Sequence, residues 1–325
     1  MKAVQFSRFG PPEVLEYVEV DKPTPKKGEV LIKAQSISVN FSDIYMREGG
    51  YGKIPLPATP GLEMSGIVES VGEGVTKVSK GESVILLGRK CYAEYALAGE
   101  REVTPIPRDI DPDMAAAIPI NYLTAYHMIH TVANTQSGQT ILAYATAGGV
   151  GTAITQLGKL AGIKVIGVTS TDEKAKYAKN QGITHVINFN TEDVVKKVME
   201  ITNGKGVDLI LDSVAGKTFP TNFDMLAPLG QVILYGQRGG APPPNTFEKL
   251  MSNFTRGVGM RVFSVYSVSA RYPELMIQSM TTMIEYLRKK KIHPEIYARI
   301  PLREAAKAHK LLESRIVTGK IILKP

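Results

Sequence analysis

The sequence predicts an α/β protein, a doubly wound parallel sheet joined to a β-rich domain. Three observations lead there. Residues Ile141 to Val168 read as strand, glycine-rich turn, helix and second strand. From Asn121 to about Gly259, short apolar runs alternate with helical patterns, the rhythm of a parallel sheet with helices on both faces. The first third carries short strand-like runs between Gly and Pro turns, as in a compact, partly open barrel.

In chain order, strands are expected at Met1–Phe6, Glu13–Val20, Glu29–Val39, Gly66–Val71, Ser83–Leu87 and Ala93–Ala98. Asp111 is a candidate N-cap with Pro112 at the first helical position. The parallel strands are Thr140–Ala145, Lys164–Thr169, His185–Asn188, Val207–Ser213 and Gln231–Tyr235, with helices at Asp172–Asn180 and Thr191–Thr202. Gly239–Asn245 is a proline-rich surface loop. After Arg261–Ser264 the chain is expected to leave the sheet, forming helices over Glu274–Lys290 and Arg303–Glu313 and a last strand over Gly319–Leu323. The domain division is therefore 1–120, 121–261 and a return segment 262–325, with no internal repeat.

Composition bounds the function. The 325 residues are 43% hydrophobic and 22% charged, ordinary for a globular protein of two cores. No apolar run is long enough to span a membrane. Met1–Val4 opens directly into a strand pattern, so no leader is expected. A single cysteine, Cys91, leaves no intramolecular disulfide and no multi-cysteine metal site, and fits a cytoplasmic protein. The net charge of +8 is dispersed; its densest cluster, Arg288–Lys291, ends a helix, where cations belong. There is no aromatic–basic motif, so nucleic acid is not an expected partner.

The turn Ala147-Gly148-Gly149-Val150-Gly151 aims backbone N–H groups and a helix N-terminus at one point, which suits a dinucleotide pyrophosphate. Thr146 replaces the first glycine of the usual pattern. The second strand ends in Gly167-Val168-Thr169-Ser170-Thr171, with no carboxylate before Asp172. A carboxylate there would hold a ribose 2′-hydroxyl and repel a 2′-phosphate. Its absence, with hydroxyls at Ser170 and Thr171 and a cation at Lys174, favours NADP(H) over NAD(H).

These residues, with Val39-Asn40-Phe41-Ser42-Asp43, Pro60–Val68, Asp212-Ser213-Val214 and the tail Glu313-Ser314-Arg315…Gly319-Lys320, resemble the medium-chain dehydrogenase/reductase superfamily along the whole chain. The nearest branch is the zinc-free, zeta-crystallin-like quinone oxidoreductases. The resemblance implies a GroES-like catalytic domain built from both chain ends, a Rossmann domain between them, NADPH as cofactor, a homodimer and a quinone or enone substrate. Zinc relatives carry ligands at positions matching Asn40, Leu62 and about Ile120, none of which is a normal zinc ligand, so no metal is expected. His127 and His130 lack a third partner and read as a helix surface or packing feature. Glu63 is expected to hydrogen bond structurally.

Without a metal to polarise an alcohol oxygen, the chemistry favours conjugated acceptors that take a hydride readily. The resemblance places Asn40, Tyr45 and Tyr51 in the nicotinamide and substrate region. It places Thr124, Ser213, Gly236, Arg315 and Lys320 along the cofactor. Phe189 falls where the family often has a tyrosine beside the adenosine phosphate. Two other readings stay open: a 2-enoyl-thioester reductase, which Gly50-Tyr51-Gly52 would suit, and a non-catalytic NADPH- or RNA-binding protein.

Overall fold

The computed structural model describes residues 1–325. The chain divides into two units, Met1–Asn121 with Ile277–Pro325, and Tyr122–Met276.

The first unit begins with β1 (Lys2–Gln5) and β2 (Glu16–Glu19), an antiparallel pair. Then come β3 (Glu29–Val39), α1 (Phe41–Arg47), β4 (Glu63–Val71), β5 (Ser83–Leu87), β6 (Tyr95–Gly99), β7 (Val103–Pro105) and α2 (Pro112–Ala116). Helix α3 (Pro119–Tyr126) runs across the division and continues as a π-helical segment, His127–Val132. The second unit holds β8 (Thr140–Tyr144), α4 (Gly149–Leu160), β9 (Lys164–Thr169), α5 (Asp172–Asn180), β10 (His185–Asn188), α6 (Val194–Ile201), β11 (Val207–Asp212), α7 (Asn222–Met225), β12 (Leu226–Leu234), α8 (Thr246–Met251), β13 (Gly259–Val262) and α9 (Val265–Arg271). Helix α10 (Pro273–Arg288) carries the chain back into the first unit, which closes with β14 (Ile296–Pro301), α11 (Ala305–Glu313) and β15 (Lys320–Lys324).

In the second unit six parallel strands lie in the order β10-β9-β8-β11-β12-β13. This is the doubly wound order with its switch point beside the first strand, β8. The strands are almost wholly apolar, as a sheet buried on both faces requires: Ile141, Leu142, Ala143, Leu209, Ile210 and Leu211 are all buried. The sixth strand, β13, is not among the expected strands, and after it the chain leaves the sheet, as expected beyond Arg261–Ser264. Four residues ending in an exposed Val262 give no clear strand pattern, yet β13 hydrogen bonds in parallel register with Gln231–Leu234. The two compact units divide at Met276–Ile277.

The first unit is a mostly antiparallel seven-stranded sheet, β14-β15-β3-β4-β5-β7 with β6 on β3. The long strand β3 is its spine, pairing with β4, β6 and β15. Strand β15 comes from the far end of the chain, and pairing Leu323 with Ile37 and Ile321 with Val39 closes the domain across the sequence. Asp111 caps α2 as expected, accepting the Asp113 N–H at 2.7 Å, with Pro112 first in the helix. Further elements escaped the sequence reading, among them α1, β7, α7, α8, α9 and β14. All are seven residues or fewer, too short to show a sustained period.

Candidate active site

The glycine turn has the geometry its sequence promised. Strand β8 ends at Tyr144, and Ala145 takes a left-handed conformation at φ 53°. That is unfavourable for a residue with a Cβ, and it reverses the chain sharply. Its carbonyl accepts the Gly148 N–H at 2.9 Å. Helix α4 then starts at Gly149 with Gly148 as N-cap and no side chain capping it. The first-turn N–H groups of Gly149, Val150 and Gly151 therefore lack side-chain capping, as an anion site needs. Gly151 is required by packing, since a Cβ there would lie 2.6 Å from the Ala145 carbonyl oxygen and closer still to the Thr146 backbone. Thr146, the departure from the usual pattern, is buried. Its hydroxyl folds away from the turn and donates to the Val168 carbonyl at 3.2 Å. The substitution thus stitches β8 to β9 and leaves the turn open.

At the end of β9, Thr171 caps α5, its hydroxyl accepting the Lys174 N–H at 3.3 Å. The Lys174 ammonium reaches back to the Ser170 hydroxyl at 3.5 Å. Asn190, which sequence reasoning missed, donates to the Ser170 carbonyl at 2.7 Å and fixes the same corner. Phe189, beside it, is half exposed. Asp172 is tied to Asn188 at 2.8 Å. Ser170 and Lys174 thus meet in one corner, where a 2′-phosphate would find a hydroxyl and a cation.

Ser213 follows Asp212 at the end of β11. Asp212 is structural: it accepts N–H groups from Val214 at 2.6 Å and Ala215 at 2.9 Å, and the Asn222 amide at 2.9 Å. Gly236 packs on this turn, where a Cβ would lie 2.7 Å from the Ser213 carbonyl oxygen. Thr124 is buried in α3. Ala147 is buried just before the N-cap Gly148. His127 is fully buried, its ring edge-on to Tyr126 and its Nδ1 2.9 Å from the Thr131 hydroxyl, and burial lowers its pKa to about 4. It is a packing residue.

In the first unit, Asn40 ends β3 and opens α1. Its backbone N–H donates to Asp43 Oδ2 at 2.8 Å. Its side chain turns the other way. The amide donates to Glu63 Oε1 at 2.8 Å, and its oxygen accepts from the Lys320 ammonium at 2.7 Å. Lys320 also donates to Glu63 Oε1 and to the Val39 carbonyl, each at 3.0 Å. Glu63 is fully buried and its other oxygen accepts the Ile120 N–H at 2.7 Å. Lys320, which the resemblance places along the cofactor, is 5% exposed and engaged by three acceptors. No group of three His, Cys, Asp or Glu side chains comes together to hold a metal anywhere in the chain. Around Asn40 the acidic side chains are Glu63, engaged by the Lys320 ammonium, and Asp43, engaged by backbone N–H groups, and the Leu62 and Ile120 side chains offer no donor atoms, so these residues do not fit zinc.

Tyr45 lies in α1 and Tyr51 in the loop after it. Their rings meet edge to face at 5.0 Å and 86°. Gly50 lets them approach, because a Cβ there would run into the Tyr45 ring. The Tyr51 hydroxyl is held above the ordinary phenol range by desolvation, then by the Asp43 carboxylate and Tyr45; the residue is 57% exposed, so solvent screens the effect. Arg315 follows α11 in a left-handed conformation, exposed.

The residues around these groups match known families. Residues 26–108 match the alcohol dehydrogenase GroES-like domain, and residues 149–282 match the zinc-binding dehydrogenases. A quinone oxidoreductase of Pseudomonas aeruginosa is 33% identical, covering all of this chain and 99% of the relative. The chain belongs to the medium-chain dehydrogenase/reductase superfamily, in its quinone oxidoreductase branch. Two solved structures are close in shape. A mycobacterial protein complexed with NADPH is 34% identical at a TM-score of 0.94, and Escherichia coli quinone oxidoreductase complexed with NADPH is 29% identical at 0.95, each covering both chains completely.

Proposed function

We propose that the protein is an NADPH-dependent reductase of quinones and related conjugated acceptors that works without zinc. The observation that carries this is the pairing of an uncapped α4 N-terminus with a carboxylate-free β9 end where Ser170 and Lys174 converge. Bound there, NADPH would supply the hydride. The chain supplies the rest. Residues Gly149 to Gly151 present N–H groups to the pyrophosphate, and Ser170 and Lys174 meet the 2′-phosphate. The Lys320 ammonium, its protons shared among Asn40, Glu63 and Val39, fixes the Asn40 amide in place beside the nicotinamide region. Tyr45 and Tyr51 offer flat ring faces to a planar acceptor, and Tyr51 a phenolic proton.

The Gly50-Tyr51-Gly52 segment also suits a 2-enoyl-thioester reductase, in which a tyrosine helps protonate the α-carbon. Turnover of NADPH with 1,4-benzoquinone, 9,10-phenanthrenequinone and crotonyl-CoA separates the two. Quinone reduction with crotonyl-CoA inert supports the proposal. Thioester reduction with both quinones inert replaces it. The unpaired edge of β13, with Val262 exposed, supports a homodimer formed by strand pairing between second units.

A further inference from the structure

We infer that Arg47, His309 and Tyr92 form a one-way hydrogen-bond relay that holds the Asp43 carboxylate, and through it Asn40, in the arrangement reduction requires. They are positioning residues, and the inference rests on the reductase reading above.

The direction of the relay follows from what each group can do. A guanidinium only donates. Arg47 Nη1 lies 3.2 Å from His309 Nδ1, so that nitrogen must be the acceptor and the ring proton sits on Nε2. His309 stays neutral, because burial, then the Arg47 charge, lowers its pKa to about 3. Its Nε2–H therefore donates to the Tyr92 hydroxyl oxygen at 3.1 Å. Tyr92 must send its own proton onward, and Asp43 Oδ2 is 3.3 Å away. The Asn40 N–H reaches the same oxygen, and the Gly61 N–H reaches the other at 3.2 Å. A proton placed on either Asp43 oxygen would meet a hydrogen already directed at it. The relay thus favours the anion, against a burial that pushes the Asp43 carboxyl up to about 7.

The relay also grips both ends of one short helix. Asp43 holds the start of α1 and Arg47 ends it, donating also to the Gly10 carbonyl at 2.8 Å and to Glu313 at 2.6 Å. Asn40, Tyr45 and Tyr51 all lie on α1 or beside it. The other ionisable groups facing Asp43 are Lys320, which favours its charge, and Glu63, Cys91 and Tyr51, whose own ionisation it opposes or which oppose it.

The test compares His309→Gln, His309→Leu and Tyr92→Phe. Glutamine keeps the direction, with an oxygen for Arg47 and an N–H for Tyr92; leucine and phenylalanine each break it. Two readouts are taken: kcat against pH with NADPH and 1,4-benzoquinone, and the Asp43 carboxyl titration by carbon NMR, assigned with Asp43→Asn. In the Leu and Phe variants the acid limb of kcat and the Asp43 titration should both rise by about one pH unit, a loss of about tenfold in kcat near pH 6. The KM for NADPH should stay within about twofold, and His309→Gln should match the parent protein. Unmoved titrations in Tyr92→Phe, or a Gln variant indistinguishable from Leu, overturn the relay. Should the parent reduce no acceptor, the reductase reading fails while the carboxyl titration still decides the relay.

Discussion

Lys320 and Glu63 show how much a single pair of side chains carries here. Both are buried, and neither has water to fall back on, so each needs the other together with Asn40 and Val39. Lys320→Met should leave the Glu63 carboxylate uncompensated and cost about 3–5 kcal/mol in urea unfolding, most of it restored by adding Glu63→Gln. At the other candidate site, Lys174→Ala should raise the KM for NADPH by about tenfold or more while changing that for NADH by less than about twofold, one lost charge-assisted contact to a phosphate. Equal effects on both coenzymes would remove Lys174 from the 2′-phosphate site. Ser170 and Lys174 were legible in the sequence because they lie four residues apart around a helix start. The Lys320–Glu63 pair was not, because its members are 257 residues apart and only the pairing of β15 with β3 brings them together. The Asn40–Asp43 link did carry a local signal: an N-cap residue followed three later by an acid is half of a capping box.

Helix α4 and its entry turn form the element to which we assign nucleotide binding. Gly151→Ala would force a Cβ into the Ala145 and Thr146 backbone, so the helix must move off β8. The expected result is a loss of about 1–3 kcal/mol in stability and a clear weakening of NADPH affinity by fluorescence titration. Val150→Ala, on the same turn but without that clash, serves as the control. The strands of this unit were readable because buried parallel strands are continuous apolar runs bounded by turns; β9 and β10 fell at their expected residues. The catalytic-side elements were harder. Helix α1 is short, and its buried positions include Asp43 and Arg47, polar residues that no hydrophobic period would place inside. Burial there is set by hydrogen bonding with Tyr92 and His309, which lie far along the chain.

For the molecule as a whole, acid stability and assembly follow from the same features. His309 and His127 are buried neutral, with pKa values lowered to about 3 and about 4 from the 6.5 of an unfolded chain. Between those values the unfolded state binds the extra protons, so their contribution is present above about pH 6.5 and lost on acidification. Asp43 acts in the opposite sense: raised from 3.8 to about 7, it takes up its proton in the native state, and its contribution is lost as pH rises through 7. Unfolding free energies from about pH 6 to pH 4 should therefore fall less steeply in His309→Gln, by about 1.4 kcal/mol per pH unit. Val262→Lys on the free edge of β13 should convert the proposed homodimer to monomer by light scattering without altering the thermal midpoint by more than a few degrees. The most direct test of the account is NADPH consumption with 1,4-benzoquinone by protein dialysed against a strong chelator, with zinc measured in the same sample. Full turnover at negligible zinc is the predicted result; turnover that disappears with the metal and returns on adding Zn²⁺ would contradict it.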